Sequence, residues 1–474
     1  MPDAMPDAMP GDTKSPPGGL RRTLTTRDLV VYGLLFIAPM APVGVFGALD
    51  AKSHGVVPLV YVVATIAMSF TAYSYARMVR VVPRAGSVYA YARSGLGEGA
   101  GFVAGWMMLL DYLLIPAVAY LFSGIAMEEL VPSVDKWVWI VIAVLVTTAL
   151  NLSGVRTAAV VGFVVLLLEI AVLLLFVAAA LVVLVRDGAE RDWLTPFTGD
   201  RDFSTRALLS AVSVAVLSYL GFDAIANFAE EARGAGRTGE GKTASPVARA
   251  LVGCLLLAGV LFLVQTYLVA LLSEDSSRRL AENPQEQGAA FYVAVEEAIG
   301  GWLHTTVAAS KAIGAAFAAL AGQAAAGRLL FAMGRDGRLP RVLSKVGETS
   351  RVPRWALLLS AVVTMGAAVW ASRAENGLDE LVSIVDIGAL TAFAMLHLSV
   401  MGYFGVRRLG DRPVSLLGDW TLPLLGLAIT VAVIVTAEQD AQLLGCAWLA
   451  AGLLVLGLQY PLRRRRGRDV GDRP

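Results

Sequence analysis

The sequence predicts an all-α polytopic membrane protein with about twelve transmembrane helices, two of them broken at mid-depth. Three observations carry this. Of 474 residues, 57% are hydrophobic and 16% charged, against about a quarter charged in soluble domains, and the mean hydropathy is +0.66. Apolar runs long enough to span recur at about 29–49, 56–79, 100–126, 137–153, 157–185 and 205–228, then at 246–272, 302–327, 354–371, 379–404, 417–437 and 441–462. The first and sixth runs are interrupted by residues that an unbroken lipid-facing helix does not carry.

The first interruption is Ile37-Ala38-Pro39-Met40-Ala41-Pro42-Val43-Gly44. Two prolines three residues apart remove backbone hydrogen bonds, and Gly44 and Gly47 weaken what remains. Free backbone groups at bilayer depth are costly unless they line a polar cavity enclosed by protein. A proline-kinked helix without a ligand is the bland alternative. The second interruption, Ser218-Tyr219-Leu220-Gly221-Phe222-Asp223, puts a hydroxyl, a glycine and an acid into an apolar run. Gly221 weakens the helix, and Asp223 is as well placed to cap a following half-helix as to touch a ligand. If spans 1–5 and 6–10 are two repeats, the breaks match in position, and an odd number of spans inverts the second repeat. Paired broken helices in such halves point to a transport site near the midplane. Ala38, Pro39, Met40, Ala41, Pro42, Val43 and Gly44, with Tyr219, Gly221, Phe222 and Asp223, are therefore candidate substrate-binding residues.

Residues 1–27, which open with a tandem MPDA, are polar and rich in proline and glycine, and read as a disordered cytoplasmic tail. The transmembrane domain covers 28–462, and 463–474 form a basic cytoplasmic tail anchored by Arg463 to Arg466. Alternate loops are rich in arginine: Arg77, Arg80, Arg84 and Arg93; Arg233, Arg237 and Lys242; Arg328 to Arg354; Arg407 to Arg412. The opposite loops are acidic or mixed. The positive-inside rule then places both termini in the cytoplasm and requires an even number of spans.

Ionisable residues inside spans are expensive, so each is a functional candidate. Asp111, Glu169, Asp223, Lys311 and Asp386 qualify, with His397 read as a satisfied interior histidine. Glu169 lies midway along the fifth span with nothing within a helical turn to neutralise it. Burial disfavours its charge, so it can load a proton; the alternative is a structural glutamic acid bonded to a helix carbonyl. Asp111 and Lys311 either meet a substrate's ammonium and carboxylate or pair with each other. Asp386 faces the outer half of its span as a candidate gate. Tyr219 and Phe222 are placed to close over an amine by cation–π contact.

Two cysteines and three scattered histidines offer neither a disulfide framework nor a metal site, so no metal or cofactor is expected. The missing histidine cluster and the absence of serine–lysine or paired-aspartate motifs in facing spans argue against an enzyme. Asn151-Leu152-Ser153 matches a glycosylation sequon at the wrong end of a span, and the Gly95–Gly99 run lacks the strand a nucleotide loop needs.

Several motifs give the chain a family resemblance. Pro83-Arg84-Ala85-Gly86-Ser87-Val88-Tyr89 follows span 2, Gly105-Trp106 opens span 3, and Gly221-Phe222-Asp223 precedes Glu230-Glu231. The most specific is Arg328-Leu329-Leu330-Phe331-Ala332-Met333-Gly334-Arg335-Asp336-Gly337-Arg338-Leu339-Pro340. In these the sequence resembles the amino acid–polyamine–organocation permeases over roughly residues 28 to 460. Its proline-rich first break and Leu110-Asp111-Tyr112-Leu113-Leu114-Ile115-Pro116 look like the putrescine-importer-like branch. The resemblance implies a leucine-transporter-type inverted repeat of five plus five helices with two accessory helices at the end. It puts Glu169 where proton-coupled members carry a lysine. The implied function is a plasma-membrane importer of an amino acid or a polyamine, proton-coupled and working by alternating access. The alternative is an exchanger of the same fold without net proton coupling. The expected partners are a small-molecule substrate, a proton and membrane lipid, and no nucleic acid.

The topology is testable. Reporter fusions after Gly188 are expected to read outside and fusions after Gly236 inside; the reverse would invalidate the span count.

Overall fold

The computed structural model describes residues 24–84, 86–199, 203–232, 245–273, 277–347, 352–374, 376–407, 409, 413–437 and 439–471. The tandem MPDA segment of the tail, and Arg233, Arg237 and Lys242 of the basic loop, lie outside the described residues. Among the described residues, eleven helices are long and apolar enough to cross a membrane. The pair α1 (Thr26–Ile37) and α2 (Pro42–Ser53), bent by 51°, makes a twelfth span.

The first half continues with α3 (Val57–Val81), the short α4 (Ser87–Gly95), α5 (Glu98–Leu130), α6 (Lys136–Ser153) and α7 (Val155–Arg186). The second half follows the short α8 (Thr195–Thr198). It opens with α9 (Thr205–Leu217), which runs through a break into a 3-10 turn, Phe222–Phe228, in place of the half-helix expected there. Then come α10 (Pro246–Leu272), the short α11 (Ser277–Glu282) and α12 (Ala290–Ala298), α13 (Gly301–Arg335), α14 (Arg354–Arg373) and α15 (Gly377–Val400). Two further helices close the chain, α16 (Leu422–Thr436) and α17 (Gln439–Gly471), the latter continuing through the arginine run. A broken span, a span, short helices and a long buried span thus recur in the same order, α1 to α5 and α9 to α13.

Local chemistry explains the ends. Thr25 and Asp28 form a capping box at α1, the Thr25 amide donating to Asp28 Oδ2 and the Asp28 amide to Thr25 Oγ1. Proline occupies the first turn of α2, α3 and α10, where its missing N–H costs nothing.

The layers follow from side-chain size. Helix α13 is almost wholly buried and rich in alanine and glycine, so neighbouring backbones approach closely. Helix α7 is apolar all round, yet its buried positions, Leu166, Glu169, Leu173, Phe176 and Ala180, recur at helical spacing. Leu167, Leu168, Leu174 and Leu175 point outward as lipid-facing leucines. At the edge, α17 is fastened to α5 by two tryptophans. The Trp106 indole N–H donates to the Trp448 carbonyl at 2.8 Å and the Trp448 indole to the Trp106 carbonyl at 2.9 Å, with the rings stacked at 4.7 Å. Asn151 of the sequon is buried and donates to Leu320 O and Gln323 Oε1 on α13.

On the arginine-rich face the motifs meet. Arg328 donates to Glu231 at 2.7 Å and lies over the Phe228 ring, a buried pair, while Arg335 reaches Glu230. Tyr89 and Arg93 both donate to Asp336, and Arg338 donates to Glu98. Segments far apart in sequence are thereby tied across the ends of spans 3, 6 and 8. The network explains why acids and arginines recur at those loop positions.

Gly221 has φ +111°, and a Cβ there would lie 2.7 Å from the Phe36 ring of α1. Gly221→Ala is expected to destabilise by about 1–3 kcal/mol through backbone strain and overpacking. Gly253→Ala, with nothing within 4 Å, should be neutral or stabilising. Thermal unfolding of both variants in detergent checks the contrast.

Candidate functional site

At the first break the backbone turns at Ala38, with φ +58° and ψ +112°, a conformation costly for a residue with a Cβ. Pro39 and Pro42 have no N–H, and Pro42 starts α2. The N–H groups of Ala38, Ala41, Val43 and Gly44 are consumed locally, by Leu34, Ala38, Met40 and Ala41 carbonyls respectively. What the break turns toward its neighbours is carbonyl oxygen. Gln265 Nε2 of α10 donates to Pro39 O at 2.9 Å, and Lys311 Nζ of α13 donates to Met40 O at 3.1 Å. Ser310 Oγ lies 3.7 Å from the Met40 sulfur.

The second break is satisfied differently. Asp223 Oδ1 accepts the Gly221 N–H at 3.2 Å, and Oδ2 accepts the hydroxyls of Tyr112 at 2.5 Å and Tyr75 at 3.2 Å. Asn227 extends the knot, donating to Tyr112 Oη and accepting from the Gly86 N–H. Asp223 is therefore bound by hydroxyl and amide donors, closing the break without capping an α-helix. Tyr219 turns away to Thr65 Oγ1 at 2.7 Å, and Phe222 packs edge-on to Tyr75.

A cavity lies between the two breaks. Ile37, Ala38 and Ala41 face it from one side, Leu217, Ser218 and Leu220 from the other. Ile115, Val118 and Phe122 of α5 and Lys311 of α13 complete its wall. Among the described residues Lys311 is the one ionisable side chain on that wall, and its ammonium also stands 5.2 Å above the Phe122 ring. Behind it is Glu169, fully buried and within electrostatic reach of Lys311. Glu169 fits because position 314 is glycine; a Cβ there would collide with its carboxylate. Sequence neighbours cannot neutralise Glu169, but a facing helix supplies the cation.

Of the expected substrate residues, Ala38, Ala41 and Lys311 line the cavity. Pro39, Met40, Pro42, Val43 and Gly44 shape the break behind it, and Tyr219, Gly221, Phe222 and Asp223 shape the other. Asp111 and Lys311 form no ion pair: Lys311 is spent on Met40 O, and the charges that Asp111 feels are Asp223 and Asp386. Both oxygens of Asp111 and Oδ1 of Asp386 are buried without a hydrogen-bond donor among the described residues. His397 is interior and paired, with Ser74 Oγ at 2.9 Å from Nδ1 and Thr71 Oγ1 at 3.4 Å from Nε2. Gln265 is the residue that a search for ionisable groups passes over. A lone amide in span 7 was its sequence signal. The α5 wall is signalled only by the spacing of Asp111, Ile115, Val118 and Phe122 along one face.

Comparison with known proteins agrees with this architecture. The family model described as amino acid permease matches residues 29–441. The low-affinity putrescine importer PlaP of Escherichia coli (strain K12) is 32% identical over 443 residues, covering 92% of this chain and 93% of PlaP. The branched-chain amino acid permease BcaP of Lactococcus lactis subsp. cremoris is 28% identical over 94% of this chain and 96% of its own. The methylthioribose transporter of Bacillus subtilis is 26% identical over 81% of each chain. Broken helices around a buried cavity, the assembled loop motifs and a match over nearly the whole chain lead to one conclusion: this is a multi-pass transporter, not an enzyme, and it belongs to the amino acid permease family.

Proposed function

We propose that this permease imports a small amine, an amino acid or a polyamine, across the plasma membrane in company with a proton. The observation that carries this is the cavity between the two helix breaks, whose single cation among the described residues, Lys311, donates to the Met40 carbonyl of the broken helix and has the buried Glu169 within electrostatic reach. The substrate sits in that cavity, and alternating access works by rearrangement of α1, α2 and the α9 break around it. Both termini face the cytoplasm, so the ion-paired arginine-rich face is the inner gate. Asp386, in the outer half of α15, is within electrostatic reach of Lys52 at the end of α2, which suits an outer gate.

An amine fits this break better than the α-carboxylate of an amino acid does. With Pro39 and Pro42 lacking N–H groups and four neighbouring amides consumed, few backbone donors remain for a carboxylate, whose one charged partner on the wall would be Lys311. The putrescine named for one relative and the branched-chain amino acids named for another share the amino group, and that shared chemistry is what we assign here.

The coupling we assign rests on Lys311 and Glu169, which lie within electrostatic reach of each other without a hydrogen bond between them. While the two hold a proton, the lysine is an ammonium that ties α13 to Met40 O. Loss of the proton leaves a weaker neutral donor, and the broken helix is released. Protonation is thus read out as backbone movement through one hydrogen bond. An exchanger without net coupling would not need an acid behind the lysine.

Glu169→Gln keeps the size of the side chain and removes its titration. Binding of substrate by the purified variant is expected to stay near wild type. Uptake driven by a pH gradient in proteoliposomes should fall about ten-fold or more, and residual exchange should lose its dependence on external pH. Wild-type-like driven uptake would remove Glu169 from the coupling.

A further inference from the structure

Ser87 is held at φ +46°, in the left-handed region where a residue with a Cβ is strained and glycine is not. The residue before it is a glycine, Gly86, at φ +109°, seated against α13, where a Cβ would lie 3.3 Å from Ala332 Cβ. Position 87 therefore carries a side chain where the backbone favours none. Its hydroxyl is buried and donates to Tyr75 Oη at 3.3 Å, and Tyr75 donates to Asp223 Oδ2 at 3.2 Å. A second chain leaves the same turn. The Gly86 N–H donates to Asn227 Oδ1 at 3.2 Å, and Asn227 Nδ2 donates to Tyr112 Oη, the other hydroxyl on Asp223 Oδ2. Ser87, Tyr75, Tyr112, Asn227 and Asp223 are all at 0% exposure, so water does not compete for these bonds.

Ser87 also opens α4, and the same short helix carries Tyr89 and Arg93, which both donate to Asp336 just past the end of α13. The far end of α4 is fixed. Arg407 donates to Leu96 O at 3.0 Å, and a Cβ at Gly95 would collide with Ser399 O of α15. The helix is thus pinned at one end and held at the other by the turn at 86–87. We infer that the Ser87 hydroxyl is a positioning group that couples the second break to the inner ion-paired face: through Tyr75 it keeps α4 seated while Asp223 is in place, and through α4 it keeps Asp336 within reach of Tyr89 and Arg93. This rests on the reading above of that face as the inner gate. The hydroxyl explains the strain, since glycine at 87 would relax the backbone but cut the link from the turn to Tyr75. Both chains end on one carboxylate oxygen, so a shift of residues 221–223 releases them together and α4 loses its seat. Neither Ser87 nor Tyr75 lines the cavity.

The protein's own Cys254 reports opening of the inner side. It is buried under α1, its thiol 3.4 Å from Val30 O, and is uncovered when α1 moves away. The readout is the rate at which a water-soluble maleimide labels Cys254 in the full-length purified protein without ligand, with the exposed Cys446 changed to serine. Ser87→Ala and Ser87→Gly are each expected to raise that rate about five-fold, the worth of one hydrogen bond, and Tyr75→Phe should do the same. Combining Ser87→Ala with Tyr75→Phe should add little, because both cut one chain. The melting temperature of Ser87→Gly should equal or exceed that of Ser87→Ala, since only glycine relieves the positive φ. A rise in one Ser87 variant without the other would put the effect in backbone flexibility and overturn the inference, as would wild-type labelling in both. Asp336→Asn tests the gate directly. Labelling raised by Asp336→Asn but not by the Ser87 variants overturns the coupling and leaves the gate standing. Wild-type labelling in Asp336→Asn removes the gate reading, and the coupling with it, whatever the Ser87 variants do.

Discussion

Much at the centre of this protein depends on two carbonyl groups of the first break, those of Pro39 and Met40. An unsatisfied amide-like group in an apolar medium costs about 2–7 kcal/mol, so the Pro39 carbonyl, which accepts no backbone N–H among the described residues, needs a donor brought from elsewhere. Gln265 supplies it, and Lys311, from a different helix, adds a second donor to the Met40 carbonyl that Val43 N–H already reaches. The second creates a further requirement, since a buried ammonium needs a counter-charge, and Glu169 lies within its electrostatic reach. Glu169 in turn needs room against α13, which the glycine at 314 leaves. One irregular turn thus dictates four polar or small residues on three other helices.

The two breaks solve the same problem with different chemistry. In α9 the donors are hydroxyls and a backbone amide gathered on Asp223. Those donors carry no charge. In α1 one of the donors is a lysine with an acid within electrostatic reach. In the proposed coupling, the first interruption is therefore the one whose strength a proton on these two groups changes.

Much of this was legible in the sequence. The span count, the 37–44 and 218–223 breaks and the inside location of Glu169 followed from backbone chemistry and the price of polar groups in hydrocarbon. The matching of the arginine loop with Glu230 and Glu231 was legible only as motifs; that they form one ion-paired face needed coordinates. Pairwise partners were the least accessible, because helical periodicity fixes which face a residue occupies but not which helix lies opposite. Asp111 and Lys311 carry opposite charges on helices that pack together, yet Lys311 goes to Met40 O while both Asp111 oxygens lack a donor among the described residues. Asp223 reads as a cap from its position after Gly221, but the 3-10 turn that follows turns its carboxylate back on Gly221 and out to Tyr75 and Tyr112. Gln265 was hidden because an amide in a span is unremarkable until a proline-made vacancy stands across from it.

The reciprocal indole contacts between Trp106 and Trp448 carry a mechanical consequence. Each ring donates to the other residue's backbone, so sliding or rotating α17 on α5 breaks two hydrogen bonds and unstacks a 4.7 Å ring pair at once. The last helix, lipid-facing on most of its surface, is thereby made one rigid piece with the helix that lines the cavity. If transport proceeds by the proposed rearrangement of the broken helices, this joint would act as a keel: it would give the helix lining the cavity a grip on the bilayer, so that a shift in the broken helices would be motion relative to the membrane and not rolling of the whole bundle.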